Sequence, residues 1–347
     1  MNTAKLTAWL SLSENIKKGI FEEINKRTSL PTAAIEKDWW VVHTLALVFE
    51  MSCAKNLVFK GGTSLSKAWN LITRFSEDID LALDRTFLGF DVNLNNTQIK
   101  KLRKASFAYI TGKFLEELKD KFIEAGLFEI EIQLAEIKDK DQDPMVIEIY
   151  YPSIVEKSDY IKPRVLLEIG CRSLIEPNTI KSFSTIVAEY FGDRLFADIA
   201  ISISTVNPER TFLEKIFLLH EEFQKPIAKI RTDRLTRHLY DIEKLMDTDF
   251  AQKALSDQKL FDDIVAHRKL FTPIRGIDYG NHTKDKINPI PPIEIIDNWR
   301  KDYKTMQESM IYGESLPFLK LIERLEELKQ RLKNSITINM PTKKNGG

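Results

Sequence analysis

The sequence predicts an α/β (α+β) region followed by a mainly helical region. Up to about Ser204, short apolar runs of strand length alternate with segments of helical periodicity. Over residues 208–249 the pattern is almost wholly helical. We therefore expect an α/β domain over residues 1–204, a helical domain over 205–340 and a disordered tail over 341–347.

Five runs in the first region have the length and pattern of β-strands. Each is apolar or alternates apolar with polar residues, and turn-forming or polar residues separate them. The runs are residues 56–60, Asp78–Leu83, 128–137, 145–151 and 164–172. Together they predict a sheet in the first domain.

Helical periodicity fills most of the remaining sequence. Pro31 and Gly126 flank two of the predicted helices, as is typical of helix starts and ends. The predicted helices are residues 14–24, 32–49, 64–73, 97–125 and 180–191 in the first region, and 231–246, 298–310 and 318–333 in the second.

The composition is that of a soluble globular protein. The 347 residues are 43% hydrophobic and 29% charged, with 51 basic and 51 acidic side chains. A net charge of zero neither favours nor excludes a nucleic-acid partner, which would need a local basic patch. The N-terminus lacks a signal-peptide pattern, and the longest apolar run, residues 39–49, is too short to cross a bilayer. We expect a cytoplasmic protein with no membrane contact.

Two aspartates on one predicted strand form a candidate metal site. Asp78 and Asp80 are two residues apart, so both side chains project from the same face of a strand. Adjacent carboxylates repel unless a cation lies between them or one is protonated. Mg²⁺ often binds one or two carboxylates together with substrate phosphates. Taken alone, the pair is more often an exposed polar strand face.

A glycine turn directly after an earlier strand could hold those phosphates. Gly61 and Gly62 can adopt backbone angles closed to other residues and let a ligand approach the main chain. The helix that follows presents unpaired N–H groups, and Thr63 and Ser64 add hydroxyls. Two glycines alone are more often an ordinary turn. Because this turn is one helix away from the aspartates, both elements can face the same cleft.

Together, these motifs resemble the nucleotidyltransferase AbiEii toxin family, a branch of the polymerase-β-like nucleotidyltransferase superfamily. The resemblance rests on K-G-G-T-S-L at residues 60–65 and R-F-S-E-D-I-D-L at residues 74–81. The superfamily's Gly-Ser turn corresponds to Gly62 followed by Thr63. The resemblance implies a polymerase-β-like core with a mixed sheet, in which Lys60, the four residues after it and Arg74 contact the nucleotide.

The resemblance also implies a third carboxylate on a later strand. In V-L-L-E-I-G at residues 165–170, Glu168 points away from its apolar neighbours. An acid within an apolar strand is costly unless it is paired or metal-bound. We therefore predict Glu168 as the third metal ligand beside Asp78 and Asp80, with Glu148 as the alternative. Either glutamate could instead be a solvent-facing strand residue.

Two motifs in the helical region extend the resemblance. They are P-E-R-T-F-L-E-K at residues 208–215 and R-H-L-Y-D-I at residues 237–242. A lysine and an aspartate of these motifs belong to the family's active site, which implies that role for Lys215 and Asp241. Lys215 would neutralise triphosphate charge, and Asp241 would hold it or orient the acceptor. Without the resemblance, Lys215 could extend to solvent and Asp241 could form a solvated salt bridge.

The resemblance finally implies a function. The protein would use Mg²⁺, or Mn²⁺, to transfer a nucleotide from an NTP to an acceptor hydroxyl. It would be the toxin of a bacterial toxin–antitoxin or phage-defence system, opposed by a separately encoded antitoxin, with the tRNA 3′ end as acceptor. Basic runs at residues 100–104 and 229–234 could contact RNA, although such runs are more often solvated helix faces. Nucleotidylation of a protein or small molecule, and a non-catalytic nucleotide-binding scaffold, are the alternatives.

Overall fold

The chain divides into two compact units in the computed structural model. The model describes residues 3–91, 93–139, 141–156, 158, 161–172, 177–198 and 200–338. The first unit consists of Met1–Asn70 and Arg74–Asn207, and the second of Leu71–Thr73 and Pro208–Gly347. Ser204, near which the sequence predicts a boundary, lies inside the last strand of the first unit. The predicted tail, residues 341–347, lies outside the described residues.

The described residues of the first unit form a seven-stranded mixed sheet. In chain order the strands are β1 Leu57–Lys60, β2 Asp78–Leu83, β3 Glu131–Leu134, β4 Met145–Tyr150, β5 Arg164–Gly170, β6 Asn178–Phe183 and β7 Ile201–Val206. Their spatial order is β3-β4-β5-β2-β1-β7-β6. β2 is parallel to β5 and β1 is parallel to β7, while the other neighbours are antiparallel. The predicted α/β class and mixed sheet are thus confirmed.

The described part of the first unit also contains helices. They are α1 Thr3–Leu10, α2 Glu14–Thr28, α3 Thr32–Val48, α4 Gly61–Thr63, α5 Asn96–Tyr109, α6 Leu115–Glu124 and α7 Ile186–Phe191. α3 packs on β2 and β5, and its Val42 and Leu45 join Leu81 and Leu167 in one buried core. Burial of such side chains contributes roughly 1.5–3 kcal/mol each to folding.

The second unit is helical in its described part. Its helices are α8 Pro208–Phe223, α9 Thr236–Leu245, α10 Asp249–Ser256, α11 Gln258–Phe271, α12 Ile296–Ser309 and α13 Phe318–Ile338. No helix among the described residues is both long and apolar enough to cross a membrane.

The prediction of one helix over residues 180–191 is wrong. β6 occupies its first part and pairs antiparallel with β7, a strand that the sequence reading missed. α7 begins only at Ile186, because the Thr185 side chain accepts the N–H of Ala188 and Asp38 accepts that of Ile186. These contacts cap the helix start and separate it from the strand.

Two other predicted helices are shorter than expected. The helix over 64–73 ends before Asn70, which adopts a positive φ of 52°. The helix over 231–246 begins only at Thr236, because Asp302 on α12 accepts the N–H groups of Arg234 and Thr236. The long helix over 97–125 is present as α5 and α6, joined by a π-helical turn at Ile110–Phe114.

Candidate active site

One row of side chains crosses three adjacent strands. Lys60 on β1 pairs with Asp80 on β2, and Asp80 pairs with Glu168 on β5. Paired residues on neighbouring strands project from the same face of a sheet. The structure therefore places a lysine and two of the predicted metal ligands in one row on the same face.

Asp78 extends this row along β2. It precedes Asp80 by two residues, so both project from the same face, and both are half-buried. Ile79 and Leu81 project from the opposite face, where they are at most 1% exposed. β2 therefore packs one face in the core and presents carboxylates on the other.

The Asp80 carboxylate lies directly against the glycine turn. Gly61 has φ +78°, and a β-carbon on it would lie 1.8 Å from Asp80 Oδ2. Any other residue would meet both the strain of this backbone region and a collision with the carboxylate. The glycine thus lets the predicted phosphate turn and the predicted metal ligand touch.

The Arg74 side chain lies against the turn at Gly62. A β-carbon on Gly62 would lie 2.8 Å from Arg74 Nη2 and 2.9 Å from Ser76 Oγ. Arg74 is only 2% exposed, and its Nη1 donates to the carbonyl of Phe75 at 3.2 Å. The structure therefore places Arg74, a predicted phosphate contact, beside Gly62 and almost fully buried.

The hydroxyls of Thr63 and Ser64 are also engaged inside the turn. Thr63 Oγ1 lies 2.5 Å from the carbonyl oxygen of Asp78 and 3.0 Å from Ser76 Oγ. Ser64 Oγ donates to the carbonyl of Gly61 at 2.9 Å, and both side chains are buried. Thr63 thereby ties the turn to the start of β2. These side chains brace the turn, so backbone N–H groups are the donors it could offer to phosphates.

Glu148, the alternative third acid, is held by other groups. It lies on β4 opposite Leu166, one strand farther from β2 than Glu168. Arg164 Nη1 lies 2.5 Å from its Oε1, and the Tyr150 hydroxyl donates to its Oε2 at 2.9 Å. Geometry therefore favours Glu168 as the acid beside Asp80.

The donor set fits a divalent cation that is shared with a phosphate. Among the residues that the structure describes, no three His, Cys, Asp or Glu side chains form a metal cluster by themselves. Mg²⁺, however, often takes only one or two carboxylates and completes its coordination with substrate phosphates. Asp80 offers a hard oxygen donor at the turn where phosphates are predicted to bind. Metal binding by Asp78, Asp80 and Glu168 stays a prediction.

In the second unit, the structure joins the two predicted residues of the helical motifs. Lys215 on α8 places its Nζ 2.8 Å from Asp241 Oδ2 on α9. Their side chains are 8% and 0% exposed, respectively. The solvated alternative for these residues is therefore wrong, because water hardly reaches either one.

The sequence reading missed a buried charged run on α3. Glu36, Lys37 and Asp38 are consecutive, and each is less than 5% exposed. Lys37 Nζ lies 2.5 Å from Glu77 Oε2, directly before β2. Three adjacent charges in an otherwise apolar helix were the available signal, because buried charges require partners.

A buried aspartate before β4 was also missed. Asp143 accepts the N–H of Cys171 at 3.1 Å and lies 3.0 Å from Arg172 Nε. The pKa of Asp143 is raised, because burial outweighs the groups that lower it. Those groups are Arg172, the Cys171 N–H, Arg103 and Lys60. This contact ties the start of β4 to the end of β5 and so supports the strand that carries Glu168.

Comparison with known proteins gives the class of this site, which is that of a nucleotidyltransferase. The family model described as the nucleotidyl transferase AbiEii toxin of type IV toxin–antitoxin systems matches residues 48–331. That span includes every site residue that the sequence predicts and most of the chain. The chain belongs to this AbiEii family of toxins. Its description as a nucleotidyl transferase implies an NTP substrate, and its toxin–antitoxin setting implies an antitoxin partner.

Solved structures that are similar to the chain include another toxin. The nucleotidyltransferase toxin MenT4 from Mycobacterium tuberculosis H37Rv is 15% identical, with a TM-score of 0.43. The match covers 95% of this chain and 100% of MenT4. No curated protein matches the sequence.

Proposed function

We propose that this protein transfers a nucleotide from an NTP to the hydroxyl at the 3′ end of a tRNA, with Mg²⁺ as cofactor and Mn²⁺ as a substitute. The observation that carries the proposal is the position of Asp80. Its carboxylate lies against Gly61 of the turn, and Asp80 stands opposite Glu168 in the register of the next strand. One acid can therefore serve the triphosphate and the acceptor at once.

The site residues of the first unit bind the triphosphate and the cation in this proposal. Backbone N–H groups of the turn at Gly61 and Gly62 bind the triphosphate. Asp78, Asp80 and Glu168 would hold the divalent cation, with Glu168 on the side of the acceptor. When bound, the metal neutralises phosphate charge and lowers the pKa of the acceptor hydroxyl. The acceptor oxygen bonds to the α-phosphorus, the bond to pyrophosphate breaks, and the hydroxyl proton is released.

Lys215 and Asp241 have roles carried over from the family motif. We propose that the Lys215 ammonium neutralises triphosphate charge and that Asp241 holds it in a fixed direction. The 2.8 Å contact and the near-complete burial of both side chains support this pairing. A carboxylate within hydrogen-bonding distance favours the charged form of a lysine, which is the form that the role requires.

The tRNA acceptor is supported by an exposed basic face on α5. Lys100, Lys101 and Lys104 are exposed there. In the other predicted run, Arg231 is exposed but is already paired with Glu222 at 2.7 Å. Lysines on a solvent-exposed helix can contact phosphates and make binding salt-dependent. Replacing the three α5 lysines by serine should weaken tRNA binding and flatten its salt dependence, while NTP binding stays unchanged.

The deciding experiment incubates purified protein with Mg²⁺, each labelled NTP in turn, total tRNA and a protein extract. We expect label at the tRNA 3′ end, and loss of that label with EDTA or in Asp80→Ala. Label that enters protein or a small molecule, and never RNA, would overturn the tRNA acceptor. Label that is unchanged in Asp80→Ala would overturn the site.

The biological role is tested by growth. We propose that the protein acts in the cytoplasm, where NTP and tRNA occur, as a toxin in defence against phage. Its separately encoded antitoxin restrains it. Expression without the antitoxin should arrest growth, whereas Asp80→Ala should not. Arrest by the variant would show that toxicity does not depend on transfer.

A further inference from the structure

We propose that Lys37 on α3 is a positioning residue that fixes the alignment of β2 and β5, and with it the relation between Asp80 and Glu168. The effect of Lys37 on metal and nucleotide binding rests on the proposed function, whereas its effect on the alignment of β2 and β5 does not. Lys37 is outside the motifs that the sequence reading assigned to the site.

The contacts of Lys37 join the approaches to both strands. Its Nζ lies 2.5 Å from Glu77 Oε2 and 3.1 Å from the carbonyl oxygen of Lys162. Glu77 directly precedes β2, and Lys162 is two residues before β5 begins. One ammonium group therefore bridges the chain just before the two strands that carry the predicted metal ligands.

This bridge matters because β2 and β5 are parallel. A parallel pair has no hairpin turn to set its register, since a long crossover connects the strands. A slip of one residue would move every side chain of a strand to the other face. Asp80 and Glu168 would then lose their common row. A fixed contact before both strands opposes such a slip.

The neighbours of Lys37 show that α3 is built to hold several elements. Asp38 Oδ1 lies 2.9 Å from Lys67 Nζ, in the π-helical turn that follows the glycine turn. Glu36 accepts from Ser153 Oγ at 2.6 Å and from the Ile154 N–H at 2.8 Å, after β4. Successive helix residues point about 100° apart, so the three charges reach three different parts of the unit.

Burial makes the Lys37–Glu77 pair a poor device for stability alone. The two side chains are 2% and 8% exposed. Desolvation of such a pair can cancel its attraction, and well-packed neutral residues of similar size are often as stable. A role in alignment gives the charges a function that a neutral pair would lack. This difference provides the test.

The experiment compares Lys37→Met with the double variant Lys37→Met/Glu77→Gln. The single variant leaves Glu77 without this cation and should lower the Tm. The double variant should recover most of the Tm. If Lys37 positions the strands, the double variant should bind a non-hydrolysable NTP analogue in the presence of Mg²⁺ about 10–100-fold more weakly than wild type, despite its recovered Tm. Losses of this size are typical when the supporting partners of metal ligands are removed.

Two controls separate the possible failures. Glu36→Gln changes the adjacent buried acid, which contacts the segment after β4, and should leave analogue binding unchanged. Asp80→Ala should abolish Mg²⁺-dependent binding. If wild type binds, Asp80→Ala does not, and the double variant binds like wild type, the Lys37 inference alone is overturned. If Asp80→Ala binds like wild type, the proposed metal site is overturned.

Hydrogen exchange tests the alignment without any ligand. The backbone amides of β2 and β5 should exchange at least about 10-fold faster in the double variant than in wild type, because their shared anchor is gone. Amides of β6 and β7 serve as the internal reference. Unchanged exchange in β2 and β5 would overturn the inference even if the proposed function holds.

Discussion

Lys215 and Asp241 form an ion pair with a 2.8 Å contact between α8 and α9, in a region from which water is almost excluded. Asp241 is fully buried, and Tyr240 beside it hydrogen-bonds Thr73 at 3.0 Å. Both charges of the Lys215–Asp241 pair are therefore almost fully withdrawn from water. Its charges need each other, since an ion buried without a partner is strongly unfavourable.

Asp241→Asn should lower the free energy of unfolding by about 3–5 kcal/mol, because it leaves the buried Lys215 cation without this carboxylate. Chemical denaturation measures the loss. The double variant Lys215→Met/Asp241→Asn should recover stability, since both charges are then gone. If the proposed role of Lys215 is right, nucleotide transfer stays absent in the double variant. Recovery of both properties would make the pair purely structural.

Gly61→Ala should displace the Asp80 carboxylate. Its β-carbon would lie 1.8 Å from Asp80 Oδ2, and its φ of +78° costs a non-glycine residue about 1–2 kcal/mol. We expect loss of transfer and of Mg²⁺-dependent NTP binding, measured by calorimetry. Gly19→Ala is the matched control: it lies in α2, and a β-carbon there meets no atom of the described chain within 4 Å. It should add roughly 0.5–1 kcal/mol of stability without changing binding.

His220 should make the protein sensitive to mild acid. Burial and then the neighbouring His282 lower the pKa of His220 to about 4, from an ordinary 6.5. Its Nδ1 accepts the N–H of Asn288 at 3.1 Å, and its Nε2 lies 3.1 Å from the carbonyl oxygen of Asn281. The ring therefore needs its neutral form. The unfolded chain takes up a proton below pH 6.5 and the folded one does not, so stability is lost as pH falls from about 6.5 to about 4.

The full loss from this histidine should be on the order of 3 kcal/mol. Denaturation curves between pH 5 and 7 measure the slope, and His220→Gln should flatten it. This range avoids Glu221, whose pKa is raised by burial but lowered on balance by hydrogen bonds from Arg268 and His282. The contribution of Glu221 is lost only at lower pH. An equal slope in His220→Gln would assign the acid sensitivity to another group.

The sequence predicted elements whose side chains follow a local pattern. β2 has the predicted bounds because acidic and apolar residues alternate from Asp78 to Leu81 and the run stays apolar to Leu83. β6 could not be found in this way, since it is an exposed edge strand whose identity depends on pairing with β7. α9 likewise starts late because Asp302, distant in sequence, binds the backbone before it.

The same distinction applies to the candidate site. Gly61, Asp78 and Asp80 could be predicted because they lie within one short motif. The contact between Lys37 and Glu77 joins residues 40 positions apart, and no local pattern encodes such a partner. The sequence showed only that Lys37 was a charge in an apolar helix. The role of Lys37 depends on which strands lie next to it in the folded protein.

Glu168 and Glu148 offer a matched pair for a final prediction. Both project from the same face on adjacent strands β5 and β4, but only Glu168 pairs with Asp80. Glu168→Gln should reduce nucleotide transfer by about 100-fold or more, because an acid that acts at the reacting centre is lost. Its effect on the Tm should be small, since the side chain is only half-buried.

Glu148→Gln should show the opposite pattern. It removes one charge of a partly exposed ion pair, in which Arg164 is 34% and Glu148 is 14% exposed, so the cost should be about 1 kcal/mol. Transfer should stay close to wild type. Steady-state kinetics at several Mg²⁺ concentrations, measured beside thermal denaturation, compares the two variants directly. If Glu148→Gln loses transfer and Glu168→Gln keeps it, the third carboxylate is Glu148. The metal site would then extend along β4, and the row formed by Asp80 and Glu168 would not be the site of transfer.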